Sequence, residues 1–214
     1  MEENIVEVNS LEWEDDDMFL ELVSQAEDSF VSTEKDEKTR DFLSDKFLEI
    51  PTSAIDVTLQ GHATKLGIMN LKDFQLRAVK AVLEGIDCLI VQSTSSGKSI
   101  CFQLPAIILQ EGHFVLVISP TVSLMESQVH SLKKLGVHAV FLGSASFSDW
   151  NFAKLDDIHT IEEDKIPKIV YVTPEYLIGD DKRPGAYLKL PSERIGLIVV
   201  DECHKIFERS GNFR

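Results

Sequence analysis

Cysteine is scarce in this chain. Cys88, Cys101 and Cys203 are the only three in 214 residues, and they lie far apart. Neither a disulfide framework nor a Cys-x-x-Cys metal pair can be built from them, so a reducing, intracellular setting is expected. Long apolar runs are missing too. No stretch of 18 or more apolar residues occurs, and the N-terminus is acidic where a secretory signal would be basic and then apolar. A membrane span and a signal peptide are therefore not expected. Histidines at 113, 130, 138 and 159 show no metal-ligand spacing.

Basic residues are also few, 21 Lys and Arg against 36 Asp and Glu, for a net charge of −15. The imbalance is local. Residues 1–50 hold 17 of the acids and 4 of the bases, a net −13, which leaves −2 for the rest. A nearly neutral folded part argues against a strongly basic nucleic-acid groove. The basic pairs Lys133-Lys134 and Lys182-Arg183 read as solvated faces.

High charge and few apolar residues make 1–50 an acidic, mostly disordered tail. Within it, Trp13 to Val23 mixes acids with large apolar residues. Two readings stay open for that stretch. It is a solubilising segment, or a short amphipathic helix for a basic, apolar-floored partner. Residues 51–65 read as a linker, and 66–214 as the folded domain.

What the folded part has in quantity is short β-branched runs. Asp87–Gln92, Phe114–Ile118, Val137–Leu142, Lys168–Val172 and Ile195–Val200 read as buried strands. Helical patterns lie between them. One starts near Leu71 with Phe74, Ala78, Val79, Val82 and Leu83 on one face, and another covers 123–135 with Leu124, Met125, Val129, Leu132 and Leu135. Gly85 and Gly136 are placed to end these two helices. Residues 144–166 are polar and read as a helix and a surface loop. Continuous apolar strands alternating with helices imply an α/β fold, a single parallel sheet with helices on both faces.

The first of these strands runs into Ser93-Thr94-Ser95-Ser96-Gly97-Lys98-Ser99, and Ile100 to Leu109 follows as a helix. Strand, small-residue turn, Gly-Lys-Ser and helix together make a phosphate-binding loop. Backbone N–H groups at the helix start face the phosphates, Lys98 reaches the β- and γ-phosphates, and the Ser99 hydroxyl ligates Mg²⁺. The match is imperfect, because the Gly that usually opens this pattern is Gln92 here. A second site strengthens it. The last strand ends in Asp201-Glu202, where Asp201 can hold Mg²⁺ through water and Glu202 can take a proton from water attacking the γ-phosphate.

From about Leu66 to Arg214 the chain resembles the first RecA-like lobe of RecQ-family DNA helicases of superfamily 2. The resemblance is carried by Leu71-Lys72-Asp73-Phe74-Gln75, Ser93 to Ser99, Cys101-Phe102-Gln103-Leu104-Pro105, Ser119 to Val129, Tyr171-Val172-Thr173-Pro174-Glu175 and Asp201-Glu202-Cys203-His204. The segment Ser119 to Val129 is the most specific, and points away from an RNA helicase. Phe141 to Ala145 leans toward the Werner-type branch. The resemblance implies a P-loop NTPase fold, ATP and Mg²⁺ as cofactors, 3′→5′ DNA unwinding in repair and recombination, and a nuclear location. It implies that Gln75 reads the adenine edge beside Lys72, and that Lys98, Asp201 and Glu202 are catalytic. It gives Ser119, Pro120, Thr173, Pro174 and Glu175 contacts to single-stranded or partly duplex DNA through its phosphates. His204 would pass the nucleotide state to a neighbouring lobe, and a single-strand-DNA-binding protein would suit Trp13 to Val23.

Departures from the family pattern accompany these implications. Ser95 stands where the family has Gly, Ile68 replaces an aromatic ring expected on the adenine, and Cys203 replaces Ala. After His204 the family's aromatic-rich loop keeps only Ile206, Phe213 and Arg214 in register, with Arg209 at the position of its Trp. The sequence also stops at Arg214, before the family's second lobe, zinc-binding module and winged helix. The second lobe supplies an arginine finger worth roughly 10³–10⁵ in turnover, so the chain by itself is not expected to unwind DNA. The competing reading is an inactive ATP-binding remnant that docks proteins through its acidic tail.

Overall fold

The computed structural model describes residues 6–7, 30–35, 42–93, 95–142, 162–180, 183–185 and 190–203. They fall into two compact units, Met1–Ile108 and Leu109–Arg214, each described here by itself.

In the first unit a three-stranded sheet joins β1 (Val6–Glu7), β2 (Phe30–Lys35) and β3 (Ile86–Ile90). β2 runs antiparallel to β3 and parallel to β1. Among the described residues four α-helices accompany it: α1 (Asp45–Leu48), α2 (Ile55–Lys65), α3 (Asp73–Leu83) and α4 (Ile100–Ile108). The second unit holds a four-stranded, wholly parallel sheet of β4 (Phe114–Ile118), β5 (Ala139–Leu142), β6 (Ile169–Val172) and β9 (Ile195–Val200), in the order β5-β6-β4-β9. It also holds α5 (Val122–Lys134), α6 (Pro174–Ile178) and a two-stranded hairpin, β7 (Gly179–Asp180) with β8 (Arg183–Pro184).

Four of the five expected strands therefore form the parallel sheet, flanked by helices. The fifth, β3, differs: it belongs to the separate sheet with β2. Its partner comes from the stretch read as disordered tail. The charge argument averages over 50 residues, but Phe30-Val31-Ser32-Thr33-Glu34-Lys35 is locally neutral and β-rich. The folded part likewise starts before residue 51, since Leu43 and Phe47 are already buried.

The stretch read as a linker also proves helical. Leu59 and Ala63 of α2 are fully buried, four residues apart and hence on one face. Polar neighbours such as Thr58, Gln60 and His62 hide that spacing in the sequence. A Schellman turn ends the helix: Gly67 N–H donates to Thr64 O and Ile68 N–H to Ala63 O, with Gly67 at φ +78°.

α3 packs on β3 and α4, and Gly85 follows it at φ +76° as expected. Its buried face contains Ala78, Val79 and Leu83 as predicted, but also Gln75, while Phe74 and Val82 are only half-buried. α4 is apolar nearly all round and is buried accordingly, from Ile100 to Ile108. In the second unit α5 lays Met125, Val129 and Leu132 toward the sheet, and Tyr171 of β6 donates its hydroxyl to Gln128 Oε1 at 2.7 Å. That bond satisfies a fully buried phenol. The other sheet face packs Phe114, Leu116, Val140, Leu142, Val170 and Val172 with Ile166 and Leu190. Among the described residues no helix is long and apolar enough to cross a membrane. The helix expected within 144–166 lies mostly outside the described residues.

Two tests follow from this packing. Gly136 ends α5 at φ +77° with open space around a would-be Cβ, so Gly136→Ala should cost about 1–2 kcal/mol of conformational strain, read as a lower urea midpoint with unchanged slope. Burial, with Asp87 adding to it, pushes the Cys88 thiol up to about 11. Burial and the nearby Cys88 push Cys101 up to about 12. Both should stay unmodified by iodoacetamide at pH 8 in the native protein and react once urea unfolds it, as peptide mass spectrometry would show.

Candidate functional site: a phosphate loop and the carboxyl edge of a parallel sheet

The loop between β3 and α4 is held from two directions. From within, the Lys98 ammonium donates to the carbonyls of Gln92 at 2.7 Å and Ser93 at 3.1 Å, and so spans the loop. From outside, Lys72 Nζ donates to Ser96 O at 2.8 Å, and Gln75 Nε2 donates to Gly97 O at 2.9 Å. Gln75 Oε1 accepts from the Lys72 backbone N–H at 2.9 Å, which also tightens the first turn of α3. The sequence-predicted residues Lys72, Gln75, Ser93, Ser95, Ser96, Gly97, Lys98 and Ser99 are thus gathered in one place. Thr94 lies outside the described residues.

Gln75 is only 4% exposed. Its expected role was to read an adenine edge, but its hydrogen bonds brace the loop. One amide hydrogen and one lone pair beyond those bonds are the capacity a base could use.

Backbone conformation explains the small residues. Gly97 has φ +93°, and a Cβ there would lie 2.7 Å from Gln75 Nε2. Ser95 has φ +66°, so the position where the family carries Gly does adopt the left-handed conformation, at a cost of roughly 1–2 kcal/mol for a side chain with a Cβ. Ser96 Oγ is shielded and has no hydrogen-bond partner among the described residues. Helix α4 starts directly beyond the loop, and the N–H groups of its first turn already bond back to the loop: Ile100 to Gly97 O, Cys101 to Lys98 O, and Phe102 and Gln103 to Ser99 O. An anion would therefore have to meet N–H groups of the loop ahead of the helix. Small residues, a cation across the loop and an unused hydroxyl fit a phosphate group with its Mg²⁺, for which Lys98 and Ser99 are the donors at hand.

The second unit assembles the other motif residues. Parallel register aligns Ile118 of β4 with Val172 of β6 and with Val200 of β9. The residues that follow, Ser119, Thr173 and Asp201, consequently leave the sheet in one row at its carboxyl edge, where open α/β sheets bind ligands. Ladder bonds continue into the row, Ser119 N–H to Val172 O and Asp201 N–H to Ile118 O, both at 2.9 Å. Glu202 turns sharply away with φ +54°. Asp201 and Glu202 are half-buried. His204 lies outside the described residues.

The expected nucleic-acid contacts are not equally presented. Ser119 is 1% exposed and Pro120 is buried, so their side chains offer little surface in this conformation. Thr173 accepts a bond from the Tyr176 N–H at 3.2 Å and caps α6, with Pro174 at the first helical position. Glu175 is exposed. The residue that sequence reasoning missed is Gln60 of α2. It donates to Ile68 O at 3.3 Å and Met69 O at 2.9 Å and accepts from Leu71 N–H at 2.9 Å. A polar residue inside an assumed linker gave no signal for this.

Comparison with known proteins bears on both halves. A family model described as "DEAD/DEAH box helicase" matches residues 72–214. The chain is 36% identical over 153 residues to "ATP-dependent DNA helicase Q-like SIM" of Arabidopsis thaliana, covering 70% of this chain and 16% of that protein. It is 31% identical over 176 residues to "ATP-dependent DNA helicase RecQ" of Haemophilus influenzae, covering 80% and 25%. The chain thus spans a quarter or less of the length of these two relatives. The crystal structure of the DUF1998 helicase MrfA bound to DNA shares the fold, with a TM-score of 0.50 and 22% identity over 84% of this chain and 25% of that one. With phosphate loop, Asp-Glu strand end and family model agreeing, this chain belongs to the DEAD/DEAH box helicase family, and its helicase lobe is homologous to those of RecQ-type ATP-dependent DNA helicases.

Proposed function

We propose that residues 72–214 act as the nucleotide-binding lobe of a RecQ-like, ATP-dependent 3′→5′ DNA helicase. The observation that carries this is the loop from Ser93 to Ser99, spanned by the Lys98 ammonium and braced by Lys72 and Gln75. An incoming triphosphate replaces two neutral carbonyls with formal negative charge, so Lys98 gains a stronger, charge-assisted bond by releasing them. In the phosphate loop Ser99 would be a ligand for Mg²⁺, an ion that would supply neutralisation of phosphate charge. At the sheet edge Asp201 would be an acid suited to the same kind of ion, and Glu202 one suited to taking a proton from water. Lys72 and Gln75 keep the loop open to the nucleotide. His204 communicates the nucleotide state.

DNA is the polymer substrate in this reading, single-stranded or partly duplex. Ser119, Pro120, Thr173, Pro174 and Glu175, at the carboxyl edge of the sheet, track its phosphates. Since Ser119 and Pro120 are buried, the backbone and helix starts are the parts that meet the strand. A nuclear role in repair and recombination, and a single-strand-DNA-binding partner for Trp13 to Val23, belong to the same reading. That stretch lies outside the described residues.

The deciding experiment is Mg²⁺-ATP binding followed by thermal shift. Ligand at about a hundred times its dissociation constant should stabilise the native protein by about 2.7 kcal/mol, and Lys98→Ala should abolish the shift. No shift in the unsubstituted protein overturns the nucleotide reading and favours a protein-docking role for the acidic segment. Gly97→Ala should likewise lose the shift, because its Cβ displaces the Gln75 amide and its φ resists a side chain.

A further inference from the structure

The strand that leads into the phosphate loop takes its partner from far away in the sequence. Among the described residues β3 makes its ladder with β2 alone, in the register Phe30↔Ile90, Val31↔Leu89, Ser32↔Cys88 and Lys35↔Ile86. β2 is the middle strand of its sheet, with β1 on the other edge. It also adjoins α3, the helix whose first turn supplies Gln75. One N-terminal strand thus lies beside both the strand that enters the loop and the helix that braces it, within one compact unit.

The elements around the loop are not held equally. α3 and α4 each sink an apolar face, and β4 is buried from Phe114 to Val117. In β3, by contrast, Asp87 is exposed and the other residues are half-buried. Side-chain packing therefore fixes β3 less than it fixes its neighbours, and the ladder to β2 matters more. That ladder is short and its register shifts between Ser32 and Lys35, which places it at the low end of local stability. Acidic residues also crowd the strand on both sides, Glu27 and Asp28 before it and Asp36 and Glu37 after it. Directly beyond β3, Lys98 grips the carbonyls of Gln92 and Ser93. Where those carbonyls sit depends on where β3 runs.

We propose that β2 is a detachable strap that sets the affinity of the phosphate loop for a nucleoside triphosphate. Paired with β3, it holds the entry of the loop in its binding geometry, which removes an ordering cost the ligand would otherwise meet. Released, it leaves β3 without a ladder and the loop without a fixed start. This rests on the nucleotide reading above. Linkage makes the effect reciprocal, so a triphosphate that favours the fixed loop also favours the pairing of β2 with β3.

Amide hydrogen exchange on the 214-residue chain, with and without Mg²⁺-ATP, tests the coupling. ATP at saturation should slow exchange in 30–35 and 86–90 about tenfold, well beyond any slowing in β4, and Lys98→Ala should remove the effect. Equal slowing in all strands means a general gain in stability and overturns the proposal, as does bound ATP with no change in 30–35 and 86–90. Adjacent strand residues direct their N–H groups to opposite edges, so Val31→Pro with Ser32→Pro removes one ladder bond from β2 to each neighbour. By calorimetry that variant should bind ATP about tenfold more weakly, whereas Val31→Ile with Ser32→Thr, which keeps strand propensity, should stay within about twofold. Unchanged affinity in the proline variant overturns the strap. If that variant loses protection in β4 as well, exchange in the unsubstituted chain decides alone. An unsubstituted chain that gives no calorimetric signal with ATP fails at the nucleotide reading itself, and the strap falls with it.

Discussion

The buried amide of Gln75 ties the start of α3 to the phosphate loop. Its oxygen takes the N–H of Lys72 at the start of α3, and its nitrogen gives a hydrogen to the Gly97 carbonyl in the phosphate loop. A neutral amide at 4% exposure is stable there only because its bonds are made. The same group sets what Gly97 can be, since any Cβ would run into it. Helix start, loop and the choice of glycine at 97 therefore meet at this side chain, with Lys72 and Lys98 holding the loop beside it.

Strain is placed where chemistry is expected. Among the described non-glycine residues, Ser95 and Glu202 have positive φ. One lies in the phosphate loop and the other at the Asp-Glu strand end. Elsewhere the left-handed conformation is taken by glycines such as Gly67, Gly85 and Gly136, which end helices without that cost. Both positions adjoin well-buried elements, α4 and the parallel sheet, of the kind that can offset such strain.

Much of this was readable in advance. Short β-branched runs gave four parallel strands, since a strand covered on both faces must be apolar throughout. Gly85 and Gly136 marked helix ends because helix termination there needs a positive φ. The Ser93–Ser99 loop and the Asp201-Glu202 strand end were legible as helicase-family motifs because such motifs put particular residue types in short, contiguous runs. Less legible were Leu59 and Ala63, whose helical spacing is diluted by polar neighbours, and Phe30–Lys35, whose strand character disappears in the charge average of its surroundings.

By itself, then, the sequence determined much of the local vocabulary: four of the parallel strands, the α3 and α5 helices, and where those helices stop. Those choices depend on nearest neighbours and on residue chemistry, and both are written in the chain. Tertiary structure alone decided that Ser119, Thr173 and Asp201 leave the sheet in one row, because register is a relation between strands. It also decided that Gln75 braces the loop and that Gln60 holds the turn before it. Those assignments turn on distances between residues 8 to 22 positions apart, and folding, not spacing, sets such distances.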